Sequence, residues 1–256
     1  MTRRVYDRRL LQLFAHALQR LQGYMPDNHV SVTLKPIVEN ILSDGRRRLE
    51  VAVEASGDER REASQARDTL ARVEADAGAL FGRVYHALVA DHHTRAAHGD
   101  TANTSHTVAL DRFVEGYTPA IFEGTSIANR VDVMGEAARL AGHFLHANWP
   151  GLASEVASMH TQLSAAVAAY QAETGEADAA LLARDAAFEA ARIDYLAARD
   201  LLAGALRLDH KSELLGKWIP PVSDIRGKPG APPTPADSDA VTDSPIDAEY
   251  PVSDAF

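Results

Sequence analysis

The chain has 256 residues, a formal net charge of −10 and no cysteine; 46% of it is hydrophobic and only 6% aromatic. That length can bury one moderate core or two small ones. The missing cysteine excludes a disulfide framework, a thiolate zinc site, an iron–sulfur cluster and a cysteine nucleophile. No apolar run reaches the roughly 18 residues of a membrane-spanning helix. In chain order, residues 3–24 place Tyr6, Leu10, Leu13, Phe14, Ala17, Leu18 and Leu21 on one helical stripe that ends near Pro26. His29–Leu34 and Leu49–Glu54 alternate with period two, as strands do, yet Ile37, Ile41, Leu49 and Ala52 also fall on one helical stripe. The helical reading is taken, with Pro36 near an N-terminus and no single uninterrupted helix over 28–55.

From Ala66 the spacing becomes heptad-like through Leu70, Val73, Ala77, Leu80, Val84 and Ala87 or Leu88. Steps of four and three make a seam for packing on neighbouring helices. Ser126 is placed to cap a helix running toward Asn148, and Pro150 to open the next. The same rhythm returns at Leu181, Phe188, Ala191, Tyr195, Ala198, Leu202 and Ala205. Ala55, Glu59, Ala63 and Ala66-Arg67-Asp68 align with Ala172, Glu176, Ala180 and Ala183-Arg184-Asp185. This points to a duplicated unit of about 117 residues. Eight of the twelve prolines lie between Pro220 and Pro251, and residues 222–256 carry seven acids against two bases. Such a composition buries too little surface to offset ordering entropy, so 220–256 is expected to be a disordered acidic tail.

Glu59, Ala63, Ala66-Arg67-Asp68, the heptad that follows and Phe113-Val114-Glu115-Gly116-Tyr117 resemble a bacterial all-helical family of uncharacterised proteins with a duplicated helical unit, over about 30–215. The resemblance implies a helical bundle and no activity. The expected architecture is therefore all-α: an elongated antiparallel helical bundle over 1–219, with repeat units 3–107 and 108–219, followed by the tail.

For chemistry, the sequence holds no Gly-x-Gly-x-x-Gly, no phosphate-binding Gly-x-x-x-x-Gly-Lys-Ser/Thr, no His-Glu-x-x-His and no Gly-x-Ser-x-Gly. None of the eleven histidines follows an acid by three residues, which excludes the usual di-iron bundle. Five histidines, His86, His92, His93, His98 and His106, fall within 21 residues, and His143 and His146 sit three apart on one helical face. Together they are candidate ligands for a divalent transition metal such as zinc or nickel. The competing reading is that a polar Thr- and Gly-rich loop holds solvated histidines.

The basic N-terminal stretch with Arg3, Arg4, Arg8, Arg9 and Arg20 could lie on an anionic membrane, but the bland account keeps these arginines in water. Trp149 and Trp218 read as core closures at helix ends. Asn103-Thr104-Ser105 matches a glycosylation sequon, and no secretory signal accompanies it.

The sequence thus predicts a non-enzymatic cytoplasmic helical scaffold with no cofactor. It self-associates, as a homodimer, or binds a protein partner; it binds no nucleic acid. Tyr250, Val252 and Phe256 are the tail's candidate docking motif. The alternative is a His-rich metal-binding helical protein.

Overall fold

In the computed structural model, which describes residues 3–98 and 105–222, every regular element is helical and no strand forms among those residues. The order is α1 (Arg3–Leu21), α2 (His29–Ala97), α3 (Ser105–Gly116), α4 (Pro119–Gly124), α5 (Ile127–Phe144) and α6 (Pro150–Leu208), then a 3-10 turn (Ser212–Leu214) and α7 (Leu215–Trp218). None of these helices is long and apolar enough to cross a membrane. The tail from 223, with Tyr250, Val252 and Phe256, lies outside the described residues, as do Asn103 and Thr104.

The starts and stops follow local chemistry. Thr118 Oγ1 accepts from the Ile121 amide (3.3 Å) with Pro119 opening α4, and Ser126 Oγ accepts from the Asn129 amide (3.4 Å) to open α5. Both oxygens satisfy amides that a helix N-terminus otherwise leaves without partners. Pro150 opens α6 at the first helical position, where its missing N–H costs nothing.

The expected break in the helix over 28–55 is corrected. Pro36 does not interrupt α2, which runs unbroken over 69 residues. Pro36 sits in the second turn, and the carbonyl it leaves unpaired belongs to Val32, itself 56% exposed, so water can satisfy it.

The chain forms two compact units, residues 3–39 with 198–222 and residues 40–197, with α2 and α6 contributing to both. In the first unit Leu10, Phe14, Ala17 and Leu21 of α1 are fully buried together with Val38, Leu202, Leu206 and Ile219. Its polar knot is Asp209. That carboxylate accepts from Tyr24 OH (2.6 Å), Ser31 Oγ (2.9 Å), the Asn28 amide (3.1 Å) and the Asp27 amide (3.4 Å), so the end of α6 caps the start of α2. Trp218 closes the unit against Tyr24, ring centroids 5.7 Å apart. α6 itself stops in a Schellman motif. The Lys211 amide donates to Leu206 O (2.8 Å) and the His210 amide to Arg207 O (3.2 Å), with His210 left-handed at φ 55°. That conformation favours glycine, so His210→Gly is expected to stabilise the chain by about 0.5–1 kcal/mol in urea unfolding.

The second unit is built around an aromatic centre. Phe81 stacks on Phe122 at 4.2 Å and 9°, with Phe113 at 5.9 Å and Tyr85 at 6.3 Å. Met134, Ala137, Leu140 and Ala141 of α5 and Val156 and Leu163 of α6 complete this core. The predicted heptad is visible in it, since Leu70, Ala77, Leu80, Val84 and Leu88 are all buried. α5 approaches α6 at Gly135, where a Cβ would come within 3.0 Å of His160 Nε2. Trp149 is not a core closure: it is 57% exposed.

Candidate functional site

Between residues 40 and 70 of α2 and 168 and 197 of α6 the helices run as an antiparallel pair, tied by Arg48 Nη2 on Asp194 Oδ2. In such a pair each residue returns to its face every seventh position. On α6, Ala191 and Tyr195 turn inward and are buried. The opposite sector carries Ala172, Ala179, Ala186 and Ile193 as one column, flanked by Leu182 and Leu196 on one side and Ala183 and Ala190 on the other; all are exposed. Leu182 is 71% exposed and Ile193 61%. Glu176, Asp178 and Glu189 are the exposed charges on and beside this sector, and Glu189 is held by Arg192 Nε at 3.0 Å. A long surface helix normally covers its outer face with charge, so an apolar outer sector about 45 Å long departs from that pattern.

At one end of the same stretch three carboxylates gather. Glu59, Glu62 and Glu173 bring oxygens within 4.8 Å of one another, and Glu59 Oε2 and Glu173 Oε2 are buried without hydrogen-bond partners. Burial raises the Glu59 pKa, and the charges of Glu62, Glu176, Glu173 and Asp58 raise it further. Among the described residues this is the group able to offer three ligand oxygens to a cation, and it contains no histidine. A raised carboxyl pKa stabilises the fold at low pH and loses that contribution as pH rises through the folded value. Glu59→Gln is therefore expected to raise the Tm at pH 7 and to flatten its dependence between pH 4 and 7, read by circular dichroism melts.

The predicted histidine ligands occupy several places. His106 of α3 and His143 of α5 stack with ring centroids 4.0 Å apart and 16° between planes. Burial lowers the His143 pKa, and the neighbouring His106, Arg95 and Arg139 lower it further. Arg139 reaches His106 Nδ1 at 3.3 Å while Glu136 holds the same guanidinium by two oxygens. His92 Nδ1 pairs with Asp111 (3.1 Å), and its ring lies 5.4 Å from that of His93. His98 Nδ1 meets Thr94 O (2.7 Å), His86 lies edge-on to Tyr85 at 5.6 Å, and His146 is exposed.

Compared with protein-family models, curated proteins and solved structures, the chain matches none. Function must therefore be read from its own surface.

That surface also holds an open cleft of about 580 Å³ lined by Asp76, Arg83, Ser154, Glu155, Ser158 and Gln162. Arg83 Nη2 donates to Glu155 Oε2 across it at 3.0 Å. An ion pair facing two serines and an amide supplies neither a nucleophile–base pair nor a phosphate cradle. Sequence reasoning missed the carboxylate group because Glu173 lies more than 100 positions from Glu59 and Glu62. It also passed over the outer face of α6, whose signal was available: a heptad column of alanines ending in Ile193, opposite the buried column.

Proposed function

We propose that the protein is a non-enzymatic helical scaffold that works by helix-face contact, self-associating or binding a protein partner. The observation that carries this reading is the apolar, nearly uncharged outer sector of α6 over 168–197. Leu182 and Ile193 would be costly to leave in water across so long a face, and a docked helix would cover them at about 25 cal/mol per Å². Sedimentation equilibrium of the full chain from 1 to 200 µM tests it, beside a chain ending at Val222 that isolates any contribution of the tail. Concentration-dependent association is the expected result. A full chain that stays monomeric throughout, and gives no defined complex in crosslinking from its own cell extract, removes the reading.

The second reading is a metal-binding helical protein, for which His106 and His143, stacked with ring centroids 4.0 Å apart, supply two imidazoles in one place, a ring rotation being needed to turn both nitrogens on one ion. Imidazole suits zinc and nickel. Titration with either ion should release heat and raise the Tm in the native chain but not in His106→Ala/His143→Ala; silence in both removes it.

A further inference from the structure

We propose that the acidic C-terminal segment of this chain, residues 229–256, docks on the basic outer face of its own first unit, along α1 and the α7 end. This goes beyond the scaffold reading and does not depend on it.

Charge is divided unevenly along the chain. Residues 3–39 with 198–222, the first unit, carry ten bases against six acids, while 40–197 carry fourteen against twenty-three. The acidic unit neutralises its own cations, since ten of its fourteen arginines meet a carboxylate. In the first unit Lys35 and Lys211 pair with Glu39 and Asp27. Arg8, Arg20, Arg199, Arg207 and Lys217 meet no carboxylate among the described residues, and the exposed acids left to offset them are Asp200 and Glu213.

Three of these five cations stand where the chain leaves the unit. Arg20 Nη1 donates to Lys217 O (3.0 Å), Lys217 Nζ lies over the Trp218 ring at 5.0 Å, and Arg199 Nε donates to Ile219 O (3.4 Å). From Arg20 the outward side of α1 continues through His16 and Gln12 to the exposed Arg8, about 18 Å along the helix. The one acid of α1, Asp7, is buried, so no acid of this helix repels an anion there.

The segment has the complementary charge and the reach. Beyond Lys228 the chain carries Asp237, Asp239, Asp243, Asp247, Glu249 and Asp254 and no base. The residues between Val222 and Asp237 can span up to about 45 Å, more than the roughly 28 Å length of α1. A tethered ligand meets its site at an effective concentration of about a millimolar, which favours it over free anions. A bilayer is a poorer occupant, because Leu10, Phe14, Ala17 and Leu21, the apolar stripe that α1 would insert, are fully buried in the unit. Exposed ion pairs are individually weak and screened by salt, so docking needs several at once and low ionic strength.

The test uses the full chain, with a labelled peptide of residues 229–256 as the probe and fluorescence anisotropy as the readout. A full chain neutralised by Asp237→Asn, Asp239→Asn, Asp243→Asn, Asp247→Asn and Glu249→Gln leaves its face open. It is expected to bind the peptide about tenfold more tightly than the wild type, whose own segment competes. That binding should fall about tenfold between roughly 50 and 300 mM salt. In the neutralised chain Arg8→Glu, at a side chain with no ion-pair partner to lose, should weaken binding about threefold. Adding Arg20→Glu and Lys217→Glu should remove it, with unchanged far-ultraviolet dichroism showing the unit folded.

Equal peptide binding by the wild type and the neutralised chain, or binding by neither, overturns the docking. So does binding that ignores all three charge reversals. A wild type that associates in sedimentation while the neutralised chain stays monomeric assigns the segment to a second copy and overturns docking within the chain. Phosphatidylserine vesicles that bind both chains equally tightly show an open face, with the same result. Failure here leaves the scaffold reading to its own test.

Discussion

Replacing Phe81 with alanine is expected to cost about 3–5 kcal/mol of folding stability, the range for removing a buried aromatic ring. Phe81 has no exposed surface and its ring is the one that Phe122, Phe113 and Tyr85 all touch. Its loss removes transfer energy and leaves a cavity that four surrounding helices cannot easily collapse, because α4 is held by its Thr118 cap and α3 by Tyr85 OH donating to Val114 O (3.1 Å). Phe81→Leu refills part of the volume and should recover roughly half of the loss. Urea unfolding followed by far-ultraviolet dichroism measures both. A cost under about 1 kcal/mol for the alanine would show that this aromatic centre does not hold the second unit together.

The second large effect is expected at Asp209, in the other unit. Asp209→Ala strands the Tyr24 hydroxyl and the Asn28 amide around a site that is only 8% exposed, while the Ser31 hydroxyl still reaches Ala205 O at 3.1 Å. Buried donors left without acceptors cost more than the bonds contributed, so a loss of about 3 kcal/mol is expected. Tyr24→Phe removes one donor and keeps the carboxylate's other bonds, so it should cost about 1.5 kcal/mol.

The same knot sets two pH dependences. Burial pushes the Asp209 pKa up, but the hydrogen bonds from Tyr24, Ser31, Asp27 and Asn28 outweigh it and hold the carboxyl below its ordinary value. With the folded value depressed, the stabilisation is complete above the unfolded pKa near 4 and is lost as pH falls through the folded value. Tyr24 is pushed up to about 12, first by burial and then by its hydrogen bond to Asp209 and that carboxylate's charge. Its contribution is complete below pH 10 and fades as pH rises toward 12. Absorbance at 295 nm should show Tyr24 titrating late in the wild type, and in Asp209→Ala that step should move to lower pH without returning fully to 10, because burial still acts on it.

Much of this molecule was legible along the chain. Ser126 and Pro150 open helices because a side chain or a missing N–H group acts on the next few residues only. The heptad from Leu70 to Leu88 lands in a core because a period of three and four residues brings those side chains to one face in any helix. Where the sequence misled, the deciding fact was solvent. Pro36 continues a helix because the carbonyl it strands faces water, and Leu181, a member of the predicted late seam, is 42% exposed.

The candidate sites were less legible. The two stacked imidazoles, His106 and His143, stood within the predicted ligand set, but their meeting depends on α3 packing against α5. Glu59 and Glu173 come together only because α2 and α6 run antiparallel in one register.

What the sequence by itself determined is therefore the helical character, the helix starts and the faces each helix offers, all of which depend on neighbours within a turn or two. Only the tertiary structure decided which faces are covered. The pairing of helices more than 100 residues apart buries Ala191 and Tyr195 but leaves Ala186 and Ile193 in water. It also carries Asp209 185 residues back along the chain to Tyr24. Such long-range register arises from summed packing, to which no local run of residues holds the key.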